Sequence, residues 1–188
     1  MYSTTDFKKG LRIEMDKEPF EIVDFQHVKP GKGGAFVRTK LKNLINGKVI
    51  DRTFRSGEKV EMPNMEEKNM QYLYYEGGGY IFMDNATYDQ IHISKEAVAD
   101  SAGFLLENIQ VNVLYYNDKP INIEVPNFIE VKIIKTEPGL RGDTVSGATK
   151  PATLETGLVI NVPLFLNEGD IIKVDTRTKS YIERVSLK

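Results

Sequence analysis

Apolar residues return at every second position through most of this chain. Leu11, Ile13 and Met15 alternate with polar neighbours, and comparable runs occupy 20–25, 35–42 and 48–54. A period of two is what a half-buried strand requires, because its side chains point alternately to either face. The pattern predicts an almost wholly β protein. Turn residues punctuate it. Asp16 to Pro19 makes one turn, and Asn46-Gly47 favours a tight hairpin because both residue types tolerate positive φ. Met62-Pro63-Asn64 reads as a linker, since proline removes a ladder donor.

The second part repeats the style. Strands at 70–75 and 80–83 flank Gly77-Gly78-Gly79 as a hairpin, Asp84-Asn85 turns, and 90–93 forms the next strand. Ser94 is placed to cap a short helix near 95–103, with Glu96 in its first turn and Gly103 ending it. Strands at 111–115 and 121–125 flank Asn117-Asp118, and Pro126 closes the segment. The third part has strands at 128–134, 157–162, 170–174 and 180–185, with a polar loop at 142–150 between the first two. Turn spacing fits three modules of roughly 60 residues, at 1–63, 64–127 and 128–188, better than one large sandwich. Modules this small are partly open barrels of SH3-like or five-stranded OB type. No strict internal repeat is present.

Charge divides along the same lines. Residues 1–62 carry 13 basic and 9 acidic side chains, net +4. Residues 63–127 carry 3 and 10, net −7 and without arginine, while 128–188 carry 9 and 8, net +1. This asymmetry suits a nucleic-acid partner for the first part more than the second, although uneven surface composition would give the same numbers. There is no cysteine, so disulfides, thiolate metal sites and thiol nucleophiles are excluded. His27 and His92 are far apart in sequence and read as structural; no metal or cofactor is expected. No run approaches the ~18 apolar residues of a membrane span, and the first ten residues lack the apolar core of a signal peptide. The expectation is a soluble, cytoplasmic protein.

Enzyme machinery is missing from the pattern. Lys32 sits in a Gly-rich turn, but the spacing of a phosphate-binding loop is absent and strand, not helix, follows. Gly77 to Gly79 fails the dinucleotide fingerprint for the same reason. No acid/base pair stands out, so no catalytic residue is assigned and no enzymatic activity is expected.

The run Lys29-Pro30-Gly31-Lys32-Gly33-Gly34 describes a narrow hairpin tip with Lys32 as the long side chain at its apex. Such a lysine can enter a confined site, be presented to a modifying enzyme, or simply be a solvated turn residue. In the strand that follows, alternation places Ala35, Val37, Thr39 and Leu41 on one face and Phe36, Arg38, Lys40 and Lys42 on the other. Three cations and an aromatic on one face suit a nucleic-acid backbone, and a solvated edge strand would also use lysines. From composition and spacing alone the chain reads as an RNA-binding β protein.

Lys29 to Phe36 and the following Val37 to Lys42 resemble the tip and next strand of the bacterial translation elongation factor P family. A second, separate resemblance lies near the other end. Lys150-Pro151-Ala152, Gly157, Val162-Pro163 and Gly169 match that family's C-terminal signature, preceded by Gly142-Asp143-Thr144 and continued by 174–177 and 181–184. Together they cover nearly the whole chain. The resemblance implies an N-terminal SH3-like (KOW-like) barrel and two OB-fold barrels in an L-shaped, tRNA-like arrangement. It implies binding to the 70S ribosome between the peptidyl- and exit-tRNA sites, where the factor helps stalled peptidyl-tRNA form the next bond, above all at consecutive prolines. Lys32 matches the position that approaches the peptidyl-transferase centre and is often enzymatically extended; some members carry arginine there. Arg38, Lys40 and Lys42 would then meet tRNA or rRNA. Gly142, Asp143, Thr144, Lys150, Tyr181 and Arg184 would form a second functional end, with Asp143 bonding to a base or 2′-hydroxyl rather than to phosphate. The resemblance also implies a monomer with no membrane partner. The elongation factor P-like paralogue shares the architecture, and a general single-strand RNA-binding OB protein is the reading from a different class.

Overall fold

The computed structural model describes residues 1–138 and 148–185, and Gly142, Asp143 and Thr144 lie outside them. The described chain is predominantly β, as the period-two pattern predicts. Its strands are β1 (Tyr2–Ser3), β2 (Arg12–Met15), β3 (Glu18–Val28), β4 (Phe36–Asn43), β5 (Val49–Arg55) and β6 (Lys59–Val60). There follow β7 (Met65–Glu76), β8 (Gly79–Asp84) and β9 (Gln90–Ser94), then β10 (Gln110–Tyr116) and β11 (Lys119–Glu124). The last are β12 (Phe128–Thr136), β13 (Thr149–Leu154), β14 (Val159–Pro163), β15 (Ile171–Asp175) and β16 (Ser180–Arg184). They form sheets ordered β2-β3-β4-β5, β11-β10-β7-β8-β9 and β14-β13-β12-β15-β16, with β1 paired to β6. By compactness the chain divides into 1–68 with 113–122, and 69–112 with 123–188.

In the first unit, Phe7, Leu11, Ile13, Phe20, Ile22, Val37, Leu41, Phe54 and Val60 make one buried core. Burying each of the larger side chains contributes about 1.5–3 kcal/mol. Phe7 meets Phe54 edge-on, ring centroids 5.4 Å apart. The β2-β3 turn is Asp16-Lys17, both with positive φ, which lets Met15 pair with Glu18 across two residues. The β4-β5 turn differs from the tight Asn46-Gly47 hairpin expected. Only Gly47 takes positive φ, and five residues separate the strands. Buried Asn43 builds this turn instead: its Oδ1 accepts from the backbone N–H of Ile45 at 2.8 Å and of Asn46 at 3.1 Å. Within the same unit Arg12 pairs with Glu67 at 2.7 Å. The Tyr116 hydroxyl lies 3.1 Å from Glu14 Oε2 and 3.0 Å from the Lys17 carbonyl, sharing one proton between them. Burial, reinforced by Glu14, raises the pKa of this phenol.

In the second unit, Gly77-Gly78 forms the two-residue turn of the β7-β8 hairpin, so that Glu76 pairs with Gly79. The His92 ring covers Gly79. A Cβ built at Gly79 would sit 2.1 Å from His92 Nε2 and 2.9 Å from the Ile93 carbonyl oxygen. The expected helix is shorter than its sequence suggests. Ser94 caps it, accepting from the Ala97 N–H at 3.5 Å, but the α-helical part spans only Lys95–Val98. Ala99 at φ 44 ends it, and a 3-10 turn continues over Ala99–Phe104. Gly103 does not break the helix. It lets Leu158 approach, since a Cβ there would lie 3.2 Å from Leu158 Cδ1. Phe104 then joins the core of Ile129, Val131, Ile133, Leu154, Val162, Leu166, Ile172 and Val174.

Strand β13 is not expected from the sequence, where the polar loop runs through Lys150 and the next strand is read from 157. Proline is tolerated there for a simple reason. The last registered β12-β13 pair is Thr136 with Ala152, so Pro151 lies beyond the rung where its missing N–H would matter. At the other end of β12, Asp175 accepts from the Arg177 guanidinium at 3.1 and 2.7 Å and from the Arg177 backbone N–H at 2.9 Å. That guanidinium, followed by the backbone donors, holds the carboxyl below its usual 3.8, at about 2. Among the described residues no helix is long and apolar enough to cross a membrane.

Two outcomes follow for stability. Gly79→Ala must displace His92 and crowd a backbone carbonyl; overpacking of this kind costs about 1–3 kcal/mol, measurable by urea unfolding. Asp175 binds its proton less readily folded than unfolded, so its stabilisation is complete above about pH 4 and is lost as pH falls from 3.8 towards about 2. Asp175→Asn should therefore lower Tm above pH 4 and flatten the wild-type decline in Tm between those values.

Candidate nucleic-acid interface

Strands β3 and β4 pair antiparallel up to Val28 and Phe36, and residues 29–35 form the loop beyond that last rung. The tip is thus a seven-residue loop rather than a minimal turn. Lys29, Gly31, Lys32, Gly33 and Gly34 are exposed, and Pro30 is half-buried. Gly33 has φ +104, a conformation side chains rarely adopt, while a Cβ there would meet nothing nearer than Pro30 Cγ at 3.9 Å. Backbone conformation, not crowding, calls for glycine at this point. Behind the tip, Ser56 N–H donates to the Ala35 carbonyl at 2.9 Å and fastens the loop's exit to the end of β5. Lys32 has no ion-pair or side-chain hydrogen-bond partner among the described residues.

The expected split of β4 is present. Val37, Thr39, Leu41 and Asn43 are buried, while Arg38, Lys40 and Lys42 are exposed and Phe36 is half-buried. Register then fixes what lies beside each cation. Phe36 sits between Val28 and Arg55; Arg38 between Gln26 and Thr53; Lys40 between Asp24 and Asp51; Lys42 between Glu21 and Val49. Directly opposed residues share a face. The Arg38 guanidinium also lies over the Phe36 ring, 5.5 Å from its centroid. Asp24 is further engaged by Lys9 at 3.0 Å, and that cation is the main reason its pKa falls. A trough of about 360 Å³ crosses this face, lined among others by Asp24, Gln26, Arg38, Lys40, Asp51 and Thr53.

Arg55 was missed by sequence reasoning because the returning strand was ended at Phe54, one residue short. Counting equal rungs out from an Asn46-Gly47 turn would have placed Gly57 opposite Phe36, and only the longer turn that forms brings Arg55 there. Sequence reading also saw the cations of β4 without the acids of β3 and β5 that register brings beside them.

The residues expected at the second functional end are placed unevenly. Lys150 is only 6% exposed, and its ammonium donates to the Glu137 carbonyl at 2.6 Å, tying β13 to the end of β12. Tyr181 is half-buried against the C-terminal core. Arg184 stays 55% exposed while pairing with Asp170 at 2.7 Å. Nearby, exposed Phe128 lies under both Lys173 and Arg177, 5.5 and 5.6 Å from its ring centroid.

Comparison with known proteins agrees with this geometry. The chain matches the Elongation factor P (EF-P) KOW-like domain over residues 3–60, the Elongation factor P (EF-P) OB domain over 65–123, and the Elongation factor P C-terminal family over 129–184. It is 61% identical over 184 residues to an Elongation factor P of Nitratidesulfovibrio vulgaris, covering 98% of this chain and all of the relative. It is 50% identical over 188 residues to the Elongation factor P of Bdellovibrio bacteriovorus, covering both chains fully. Among solved structures, Eukaryotic translation initiation factor 5A from Methanococcus jannaschii has the same fold. Its TM-score is 0.53 at 24% identity, over 66% of this chain and 90% of that one. With three successive family matches and relatives alike from end to end, the chain belongs to the elongation factor P family and is a translation elongation factor.

Proposed function

We propose that this factor binds the 70S ribosome between the peptidyl- and exit-tRNA sites and speeds peptide-bond formation on stalled ribosomes, above all at consecutive prolines. The observation that carries this reading is the exposed, unpartnered Lys32 on a glycine-walled loop at the end of a long hairpin. The slender tip suits entry to a confined site, and the cationic face behind it suits RNA phosphate. Its partners are rRNA, ribosomal proteins and peptidyl-tRNA in the peptidyl site. Proline is a poor, conformationally restricted nucleophile. Holding donor and acceptor in register lowers the entropic part of the barrier without a new acid or base, and the ribosome remains the catalyst.

The remaining parts of the proposal follow the family. The chain works as a cytoplasmic monomer of three modules, at about 1–63, 64–127 and 128–188. Lys29, Pro30, Gly31, Gly33 and Gly34 serve to present Lys32, which is also open to a lysine-modifying enzyme that would extend its reach. Gly142, Asp143, Thr144, Tyr181 and Arg184 contact RNA at the other functional end. Lys150, with its ammonium on the Glu137 carbonyl, supports that end by holding the strands on which it is built.

Lys32→Ala should leave the fold intact, within roughly ±0.5 kcal/mol, because an exposed loop side chain contributes little to stability. Ribosome affinity should fall only modestly, while acceleration of polyproline synthesis in a reconstituted translation system should fall much more. Rescue of polyproline stalls by this variant at the wild-type rate would sink the role given to Lys32. Salt-dependent binding to bare RNA with no preference for ribosomes would favour a general RNA-binding protein instead. Intact mass against the sequence mass reads out modification directly.

A further inference from the structure

The 26 residues from Phe25 to Ile50 contain six cations, Lys29, Lys32, Arg38, Lys40, Lys42 and Lys48, and no acid. The acids that bound this stretch, Asp24 and Asp51, come together on the folded sheet, one on each side of Lys40. Glu21 stands opposite Lys42 one rung further on. The outer face of β3-β4-β5 is therefore divided. Its two rungs nearest the tip hold Arg38 and Arg55 with Val28, Gln26, Phe36 and Thr53, and no carboxylate. Its two rungs further away hold Lys40 and Lys42 against three carboxylates.

Resting on the ribosome-binding reading above, we propose that RNA phosphates meet this sheet only on the tip-side half, through Arg38 and Arg55. Asp24 and Asp51 close the far half by keeping Lys40 for themselves. Arg55 is thereby assigned as an RNA-binding residue alongside the tip.

The physical case is one of local balance. A phosphate approaching Lys40 meets one cation and two carboxylates on adjacent strands, and even with Lys9 on Asp24 that rung is neutral. Cross-strand neighbours lie about 4.5–5.5 Å apart, well inside a Debye length of about 8 Å, so the phosphate experiences the sum and not the lysine alone. At Arg38 and Arg55 no carboxylate shares the rung: Asp24 and Asp51 lie a rung away, beside Lys9 and Lys40, and Glu58 accepts from the Arg55 backbone N–H at 2.8 Å. Contact with the Phe36 ring does not use the N–H donors of the Arg38 guanidinium, which remain available to phosphate oxygens. The two arginines lie on adjacent strands and adjacent rungs, a spacing that follows a backbone running towards Lys29 and Lys32.

The test is the salt dependence of binding to 70S ribosomes between 50 and 200 mM salt, for the wild type and for Arg38→Gln, Arg55→Gln, Lys40→Gln and Lys42→Gln. Each lost phosphate contact should lower the slope of log K against log salt by about 0.7–0.9, which makes binding roughly threefold less salt-sensitive over this range. Only the two arginine variants should show this, and Arg55→Lys should restore the wild-type slope. The double variant Asp24→Asn with Asp51→Asn should raise the slope by about one contact, because Lys40 is released. A photocrosslinking residue at exposed Thr53 should label RNA. Equal losses at all four cations, an unchanged slope for Arg55→Gln, or crosslinks to protein alone would overturn the division of the face while leaving ribosome binding in place. A wild-type protein that does not bind ribosomes at any salt would instead remove the reading on which the proposal rests.

Discussion

Everything that the first unit presents to its surroundings depends on the register of three antiparallel strands, β3, β4 and β5. Ile22, Val37, Leu41 and Phe54 are essentially inaccessible to solvent, and on β4 Val37 and Leu41 alternate with the exposed cations. A slip of one residue would exchange the two sets, burying Arg38 and Lys40 and exposing Val37 and Leu41. The loss of apolar burial, at about 1.5–3 kcal/mol for each large side chain, and the desolvation of charge would both oppose it. The hydrophobic core thus works as the ruler that sets which charges stand side by side on the other face.

The tip draws on the same ladder. Eight rungs lead from Phe20 and Asn43 up to Val28 and Phe36, and only beyond the last does the chain leave the sheet. The bulge between Ile22 and Asp24 adds a residue on β3, and the rungs past it place Asp24 beside Lys40. Lys32 is therefore exposed on a loop whose two ends are held by the sheet, and Ser56 fastens its exit from the neighbouring strand. Beyond Lys29 at its base, the loop is built from residues with little bulk, which leaves Lys32 as the long group at its apex.

The C-terminal part shows a different use of charge. Arg177 and Arg184 are both paired with carboxylates of β15 or its approach, Asp175 and Asp170, and Lys150 is turned inward onto a carbonyl. Here cations brace the chain at strand ends. On the outer face of the first unit, in contrast, the tip-side arginines have no acid opposite them. A net charge of +1 for the last third and +4 for the first conveys the difference only coarsely, since pairing decides which cations remain available.

Much of this was legible in the sequence. Period-two alternation identified the β class, the inward and outward faces of β4, and most strands; Ser94 as a helix cap and the Asn117-Asp118 hairpin turn follow from local chemistry, and both are observed. The lysine tip and the C-terminal signature were enough to indicate the family. Local pattern misled where tertiary packing prevailed. Gly103 reads as a helix breaker yet serves Leu158, Lys150 reads as the end of a loop yet lies in a strand, and Asn46-Gly47 reads as a tight turn that Asn43 in fact shapes. The partners of the β4 cations could not be read from their own strand at all. The chain by itself determined which face each side chain takes, because alternation is a property of consecutive residues. Only the folded sheet decided that Lys40 stands between Asp24 and Asp51 while Arg38 and Arg55 stand clear, because register joins residues that are 11 to 19 positions apart.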